Sequence, residues 1–273
     1  MQNIKNLILD MDGVLWRGPE LIPDFVDFFK TLRRLDINFV MATNNASSVA
    51  TEYVEKFAKY GVEITTDHVV TSGEATADYL KEKYGEDVGE TAVYIVGSPT
   101  LTQAIADRGF QIILFNEYEV AEKVDVVVVG FHRDATYKTL ALGSLYVHKG
   151  AAFIGTNPDQ SFPSEIGPLP GAGSLQAVIH TATGIALTTI GKPGPIMFEQ
   201  AMARLGGTPE NTAMVGDRLS TDIAGGKAAG LKTIMVLSGI SSRADVDAGD
   251  IKPDYIVDDI AALAENLEEI GRR

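Results

Sequence analysis

Asn6-Leu7-Ile8-Leu9-Asp10-Met11-Asp12-Gly13-Val14-Leu15 is the stretch that decides how this chain is read. An apolar run of strand length, Leu7-Ile8-Leu9, leads directly into two acids and a glycine, so both carboxylates fall where a buried strand emerges into a turn. Unpaired charge at the edge of a core is disfavoured by desolvation, and two neighbouring acids raise one another's pKa. Such a pair therefore binds a cation or carries out acid, base or nucleophilic chemistry. The same residues also satisfy an ordinary solvated Asp-x-Asp-Gly turn, because Asp and Gly both favour turns.

Working outward, further apolar runs of strand length lie at 38–42, 92–96, 111–115, 125–129, 151–154, 187–190, 212–215, 233–237 and 255–257. Helical patterns at 24–35, 49–60, 101–108, 137–148, 196–205, 222–229 and 260–267 fall between most of them. Thr71-Ser72-Gly73-Glu74 has the spacing of a capping box and opens a further helix through Tyr84. Strand alternating with helix, with runs such as Val126-Val127-Val128-Val129 apolar on both faces, predicts an α/β protein of parallel sheets covered by helices. Gly85-Glu86-Asp87-Val88-Gly89-Glu90 reads as an exposed linker, and Gly184 closes a later helix. The expected division is a discontinuous core of residues 1–80 and 185–273 with an inserted domain of residues 81–184.

A chain of 273 residues with 45% hydrophobic and 22% charged content is long and apolar enough for one large or two modest domains. A formal charge of −14 and a pI near 4.7 argue against a nucleic-acid surface, since phosphate backbones are bound by excess Lys and Arg. An anionic substrate must then be met by a local cation or a metal. There is no cysteine, so disulfides and thiolate chemistry are excluded. Asp10 and Asp12 interrupt the first apolar stretch before a signal-peptide core forms, and no run approaches a membrane span, so a cytoplasmic protein without a membrane partner is expected.

Four short segments share one placement, just after a strand and before a turn or helix: Asp10-Met11-Asp12, Ala42-Thr43-Asn44-Asn45, Gly191-Lys192-Pro193, and Gly216-Asp217 through Asp222. In an open parallel sheet the carboxyl ends of the strands form the ligand crevice, so one sheet would gather all four at one edge. Together they supply what phosphoryl transfer needs, which is positioning and neutralisation of the transferred group's charge. Asp10, at the strand end, is the better placed carboxylate to attack phosphorus. Asp12 is placed to protonate the leaving oxygen and later deprotonate water. Magnesium takes octahedral oxygen ligation and keeps several waters, so Asp10, Asp217 and one main-chain carbonyl would suffice, with Asp222 in the outer shell or as an alternative ligand. Thr43 offers a hydroxyl and, with the amides of Asn44 and Asn45, a seat for phosphate oxygens, while Lys192 brings a compact positive charge between nucleophile and phosphate. Taken singly, Thr43 also fits a helix N-cap, Lys192 a solvated turn, and Asp217 and Asp222 the acids of a helix start.

In this order the four segments resemble the haloacid dehalogenase-like hydrolase superfamily, whose signature is Asp-x-Asp, a Thr or Ser, a Lys, then Gly-Asp-x-x-x-x-Asp. The resemblance implies a Rossmann-like core, Asp10 as nucleophile, Asp12 as acid and base, and magnesium held partly by the Asp12 backbone carbonyl. An acid at the second position marks phosphatases and phosphomutases as opposed to dehalogenases. Gly155-Thr156-Asn157-Pro158-Asp159, Pro170-Gly171-Ala172-Gly173-Ser174 and Gly191-Lys192-Pro193 are similar to strings of the p-nitrophenyl phosphatase and pyridoxal phosphatase-like branch, which carries a large α/β cap. Where pyridoxal phosphatases place a cap histidine, this chain has Phe162, which argues against pyridoxal 5′-phosphate as the substrate.

The expectation is a magnesium-dependent phosphatase for a small phosphorylated metabolite, working through an aspartyl-phosphate. Cap side chains around 157–163 and 170–174, Asn157 and Phe162 among them, would set the substrate. A phosphotransferase passing the same phosphoryl group to a sugar hydroxyl, and a phosphoacceptor signalling module, are the alternative readings; a homodimer through the cap is compatible with all three. His68, His132, His148 and His180 show no metal-ligand spacing, and Trp16 is expected to pack or to wall a pocket.

Overall fold

The computed structural model describes residues 1, 3–114, 120–162, 164 and 166–271. Phe115, at the end of the expected strand 111–115, and Pro163, at the end of the expected substrate loop 157–163, lie outside the described residues. The chain forms two compact units, one of Met1–Thr43, Ala50–Val70 and Lys192–Arg273, the other of Asn44–Val49 and Thr71–Gly191. These boundaries assign the helix Ser72–Tyr84 and residues 185–191 to the second unit, whereas the sequence division had grouped most of them with the core.

The first unit is built on a six-stranded sheet in the order Tyr255–Val257, Lys232–Val236, Thr212–Gly216, Asn6–Leu9, Asn38–Thr43, Val69–Thr71. Asn6–Leu9 pairs in parallel on both sides, with Leu9 opposite Val215 and Met41. Leu7, Ile8, Leu9, Val40, Met41, Met214, Val215 and Ile234 are fully buried, as strands covered on both faces require. From Asn6–Leu9 the chain first builds outward through 38–43 and 69–71, then returns to build the other side through 212–216, 232–236 and 255–257. The sheet order therefore reverses at Asn6–Leu9, and in open parallel sheets it is at the carboxyl ends of the strands flanking such a point that ligands bind. Helix Phe25–Arg34 lays Phe25, Phe28, Phe29 and Leu32 on this sheet, the i, i+3, i+4, i+7 face that the sequence announced.

The second unit has a five-stranded parallel sheet, ordered Thr188–Thr189, Ala152–Gly155, Val126–Val129, Ala92–Val96, Gln111–Ile113. Val126–Val129 is buried throughout. Thr71 caps Ser72–Tyr84, its hydroxyl accepting from the Glu74 N–H at 3.2 Å, and Gly184 ends Ala172–Thr183 with φ 69°.

Two local expectations are corrected, and one element is added. Residues 85–90 are exposed as expected except for the half-buried Val88, yet they wind into a 3-10 helix, closed by the Thr91 hydroxyl donating to Asp87 O at 2.8 Å. The expected helix 222–229 is split into a π-helical turn, Leu219–Ile223, and a short helix, Ala224–Ala228, because Asp222 and Ile223 both donate backbone N–H groups to Arg218 O. Trp16–Arg17 and Glu20–Leu21 form an antiparallel hairpin too short for its alternation to show in sequence. Among the described residues no helix is long and apolar enough to cross a membrane.

Candidate active site

Asp10 is the first residue beyond Asn6–Leu9, and its backbone N–H still donates to Val215 O at 2.9 Å, so the sheet fixes its direction. Lys192, 2% exposed, reaches it through the core: Nζ lies 2.5 Å from Asp10 Oδ1 and 2.8 Å from Asp222 Oδ1. Burial would lower the lysine's pKa, but the charges of Asp10 and Asp222 outweigh it and the ammonium is held protonated. Asp10 is driven up as well. Burial lifts its carboxyl well above the usual range, Asp222 and Asp217 add to the rise, and Lys192 opposes it.

Asp217 follows Thr212–Gly216 and is 2% exposed. Its Oδ2 accepts from the Ile240 N–H at 2.7 Å, while burial and the neighbouring Asp222 push its pKa up to about 6. The carboxylate fits only because two glycines face it: a Cβ on Gly239 would stand 1.9 Å from Asp217 Oδ2, and one on Gly13 2.3 Å from the same atom. Asp222 takes Lys192 on Oδ1 and the Arg218 N–H on Oδ2 at 3.1 Å, packed so closely that a Cβ on Gly216 would fall 2.2 Å from its own Cβ. The Ser238 hydroxyl donates to Gly13 O at 2.6 Å and ties the loop after Lys232–Val236 to the Asp10–Gly13 turn. Ser238, Gly239 and Ile240 were absent from the sequence reading. Their one signal is position, a glycine just past a strand at the same sheet edge, with no ionisable side chain to mark it.

Thr43 is buried at the end of Asn38–Thr43, two residues beyond the pairing of Met41 with Leu9. Asp12 is exposed, and its Oδ1 accepts from Trp16 Nε1 at 2.9 Å. Asn44 and Asn45 lie in the second unit, in a segment that precedes the helix beginning at Ala50. The Asn44 carbonyl accepts from the Ser72 hydroxyl at 2.6 Å and from Asn157 Nδ2 at 2.8 Å, and Asn45 Oδ1 accepts from the Ser47 N–H at 2.8 Å. Asn157 also donates to Thr156 Oγ1 and accepts from the Asp159 N–H, so both ends of its amide brace the second unit's own loops. Phe162 is half-buried, its ring 4.6 Å from that of Phe131, with the Arg133 guanidinium 5.2 Å away.

Asp10, Asp217 and Asp222 bring carboxylate oxygens within 4.8 Å of one another. At that spacing two ionised carboxylates repel by about 3 kcal/mol at an effective dielectric of 20. Three acids against Lys192 leave two negative charges, which a divalent ion would balance. Asp10 Oδ2 and Asp217 Oδ1 receive no hydrogen bond among the described residues, whereas Asp222 Oδ1 is ion-paired with Lys192 and its Oδ2 accepts the Arg218 N–H. An all-oxygen donor set suits a hard cation such as magnesium. The residues present therefore fit such an ion: Asp10 and Asp217 would be its direct carboxylate donors, with Asp222 holding Lys192.

Residues 7–111 match a family model described as haloacid dehalogenase-like hydrolase, and residues 189–263 match one described as HAD-hydrolase-like. An acid sugar phosphatase of Staphylococcus epidermidis is 35% identical over 269 residues, 98% of this chain and 100% of that protein. The crystal structure of a 4-nitrophenylphosphatase from Thermotoga maritima shares the fold with a TM-score of 0.86 at 36% identity, covering 97% of each chain. A glycerol phosphate phosphatase from Mycobacterium tuberculosis, in complex with magnesium, matches with a TM-score of 0.85 at 32% identity over 97% of this chain and 78% of that one. With the sheet order, the ordered motifs and relatives of this identity over its whole length, the chain belongs to the haloacid dehalogenase-like hydrolases, in their p-nitrophenyl phosphatase branch.

Proposed function

We propose that this chain is a magnesium-dependent phosphatase that hydrolyses small phosphomonoesters through an aspartyl-phosphate on Asp10. The observation that carries the reading is the buried Lys192 ammonium, 2.5 Å from Asp10 and 2.8 Å from Asp222, at the sheet edge where the strand order reverses. A buried lysine pairing two acids neutralises charge where a phosphoryl group would add more. Magnesium held by Asp10, Asp217 and the Asp12 carbonyl would neutralise phosphate charge. The chain's own residues do the rest. Asp10 attacks phosphorus, Asp12 gives a proton to the departing oxygen and takes one from the incoming water, Thr43 binds a phosphate oxygen, and Lys192 orients the nucleophile.

Sugar phosphates head the candidate substrates, because the Staphylococcus relative is an acid sugar phosphatase and because the second unit would serve as the cap that admits them. The test is a panel of sugar phosphates, glycerol phosphate, nucleoside monophosphates and p-nitrophenyl phosphate, scored by kcat/KM and free phosphate with magnesium or with EDTA. Magnesium-dependent phosphate release is the expected result. Turnover that survives EDTA would remove the metal, and isomerised sugar phosphate without free phosphate would make the chain a phosphotransferase.

A further inference from the structure

Asp12 is exposed, yet the residue that holds it is not: Trp16, four positions later, is 2% exposed. The indole Nε1 donates to Asp12 Oδ1 at 2.9 Å, and among the described residues no hydrogen bond reaches Oδ2. The donor ring is fixed on several sides. Tyr53 stacks on it at 6.5 Å and 10°, Phe57 meets it edge-on at 5.8 Å, and the Lys56 ammonium stands 3.4 Å from its centroid. The backbone closes the same loop, Gly13 donating to Trp16 O at 2.7 Å and Trp16 to Met11 O at 3.3 Å. A buried tryptophan needs a partner for its N–H, and a main-chain carbonyl is the usual economical choice; here the partner is the outward-facing carboxylate. An exposed aspartate left to itself samples its rotamers in water, whereas this one is tethered by a single oxygen to a ring that is packed in place.

We propose that Trp16 is a positioning residue for phosphoryl transfer, holding one Asp12 oxygen through its indole N–H and leaving the other for proton exchange with the leaving group and water. The inference rests on the reading of Asp12 as acid and base given above. In the first half-reaction an Asp10 oxygen bonds to phosphorus, the bond from phosphorus to the ester oxygen breaks, and that oxygen takes the Asp12 proton. In the second half, Asp12 takes a proton from the water that attacks phosphorus and Asp10 departs as carboxylate, so that one water is consumed for each alcohol and phosphate released.

The consequence depends on the leaving group. p-Nitrophenolate departs without a proton, whereas an alkoxide does not. Trp16→Phe keeps an aromatic ring and removes the donor. It should lower kcat/KM for glycerol phosphate by roughly tenfold or more, within the range general acid catalysis supplies. The kcat/KM for p-nitrophenyl phosphate, which reports only the steps through release of the leaving group and not hydrolysis of the intermediate, should change by less than about threefold. Asp12→Asn, run beside it, should show the same selectivity more strongly. Equal losses on both substrates, or no loss, for Trp16→Phe while Asp12→Asn stays selective would overturn the positioning role and leave Asp12 as the acid. Absence of selectivity in both variants would overturn the reading of Asp12 and this inference with it. Because Trp16 is the single tryptophan of the chain, its indole N–H gives one resonance in a 15N–1H spectrum of the wild type. Asp12→Ala should move that resonance upfield and speed its exchange with water. An unmoved resonance would refute the hydrogen bond independently of whether Trp16→Phe folds.

Discussion

Asp217→Asn should stabilise the metal-free protein while abolishing its function. In the folded state burial and Asp222 push the Asp217 carboxyl from 3.8 up to about 6, so keeping it ionised in the native protein costs about 3 kcal/mol relative to the unfolded chain. The folded value lies above the unfolded one, so the native state is favoured by proton binding. Its contribution is fully present below about pH 4 and is lost as pH rises through about 6. Asparagine removes the charge, keeps an oxygen for the Ile240 N–H, and adds an amide where Asp217 Oδ1 has no partner among the described residues. In EDTA at pH 7.5 the variant should therefore melt higher than the wild type, by roughly 6 to 12 °C if the full 3 kcal/mol is realised. The gap should close toward pH 4. Adding magnesium at a hundred times its dissociation constant should raise the wild type by about 2.7 kcal/mol and leave the variant unmoved. Thermal and urea unfolding at the two pH values, with and without the ion, make the comparison. A variant less stable than the wild type in EDTA at pH 7.5, or one that magnesium stabilises equally, would refute this account of the acidic cluster.

Lys192→Met leaves Asp10 and Asp222 buried without their cation, so it should destabilise by about 3–5 kcal/mol and remove turnover; urea unfolding beside a phosphate-release assay checks both. Gly239→Ala places a methyl 1.9 Å from Asp217 Oδ2, and the carboxylate must move. Its magnesium affinity, measured by calorimetry, should fall at least tenfold, that is by about 1.4 kcal/mol, with the core sheet intact by circular dichroism.

The parts of the fold legible in the sequence are those where both faces of a strand are apolar or one face of a helix is. Leu7-Ile8-Leu9, Val126–Val129 and the Phe25, Phe28, Phe29, Leu32 stripe all stand where their patterns put them. Trp16–Arg17 paired with Glu20–Leu21 was not legible, since two residues carry no period. Nor was the assignment of Asn44–Val49 to the second unit, which is fixed by Ser72 and Asn157 bonding the Asn44 carbonyl from 28 and 113 residues away. Ionisable residues at strand ends drew the reading to Asp10, Lys192, Asp217 and Asp222, which the structure brings together. The Gly239–Ile240 loop, which shapes the Asp217 site through a missing Cβ and a backbone N–H, has no charge to betray it. Asn157, a polar residue in one of the resemblance strings, has its amide bonded to loops of its own unit, partners that lie 113 residues away or closer and carry no local pattern.

The central claim is that Asp10 carries the phosphoryl group, and trapping it is the most direct test. In Asp12→Asn, which lacks the base for hydrolysing the intermediate, p-nitrophenyl phosphate and magnesium should load the enzyme; quenching and borohydride reduction should then convert residue 10 to homoserine, read by peptide mass spectrometry. Loading at another residue, or wild-type turnover with Asp10 never modified, would contradict the account.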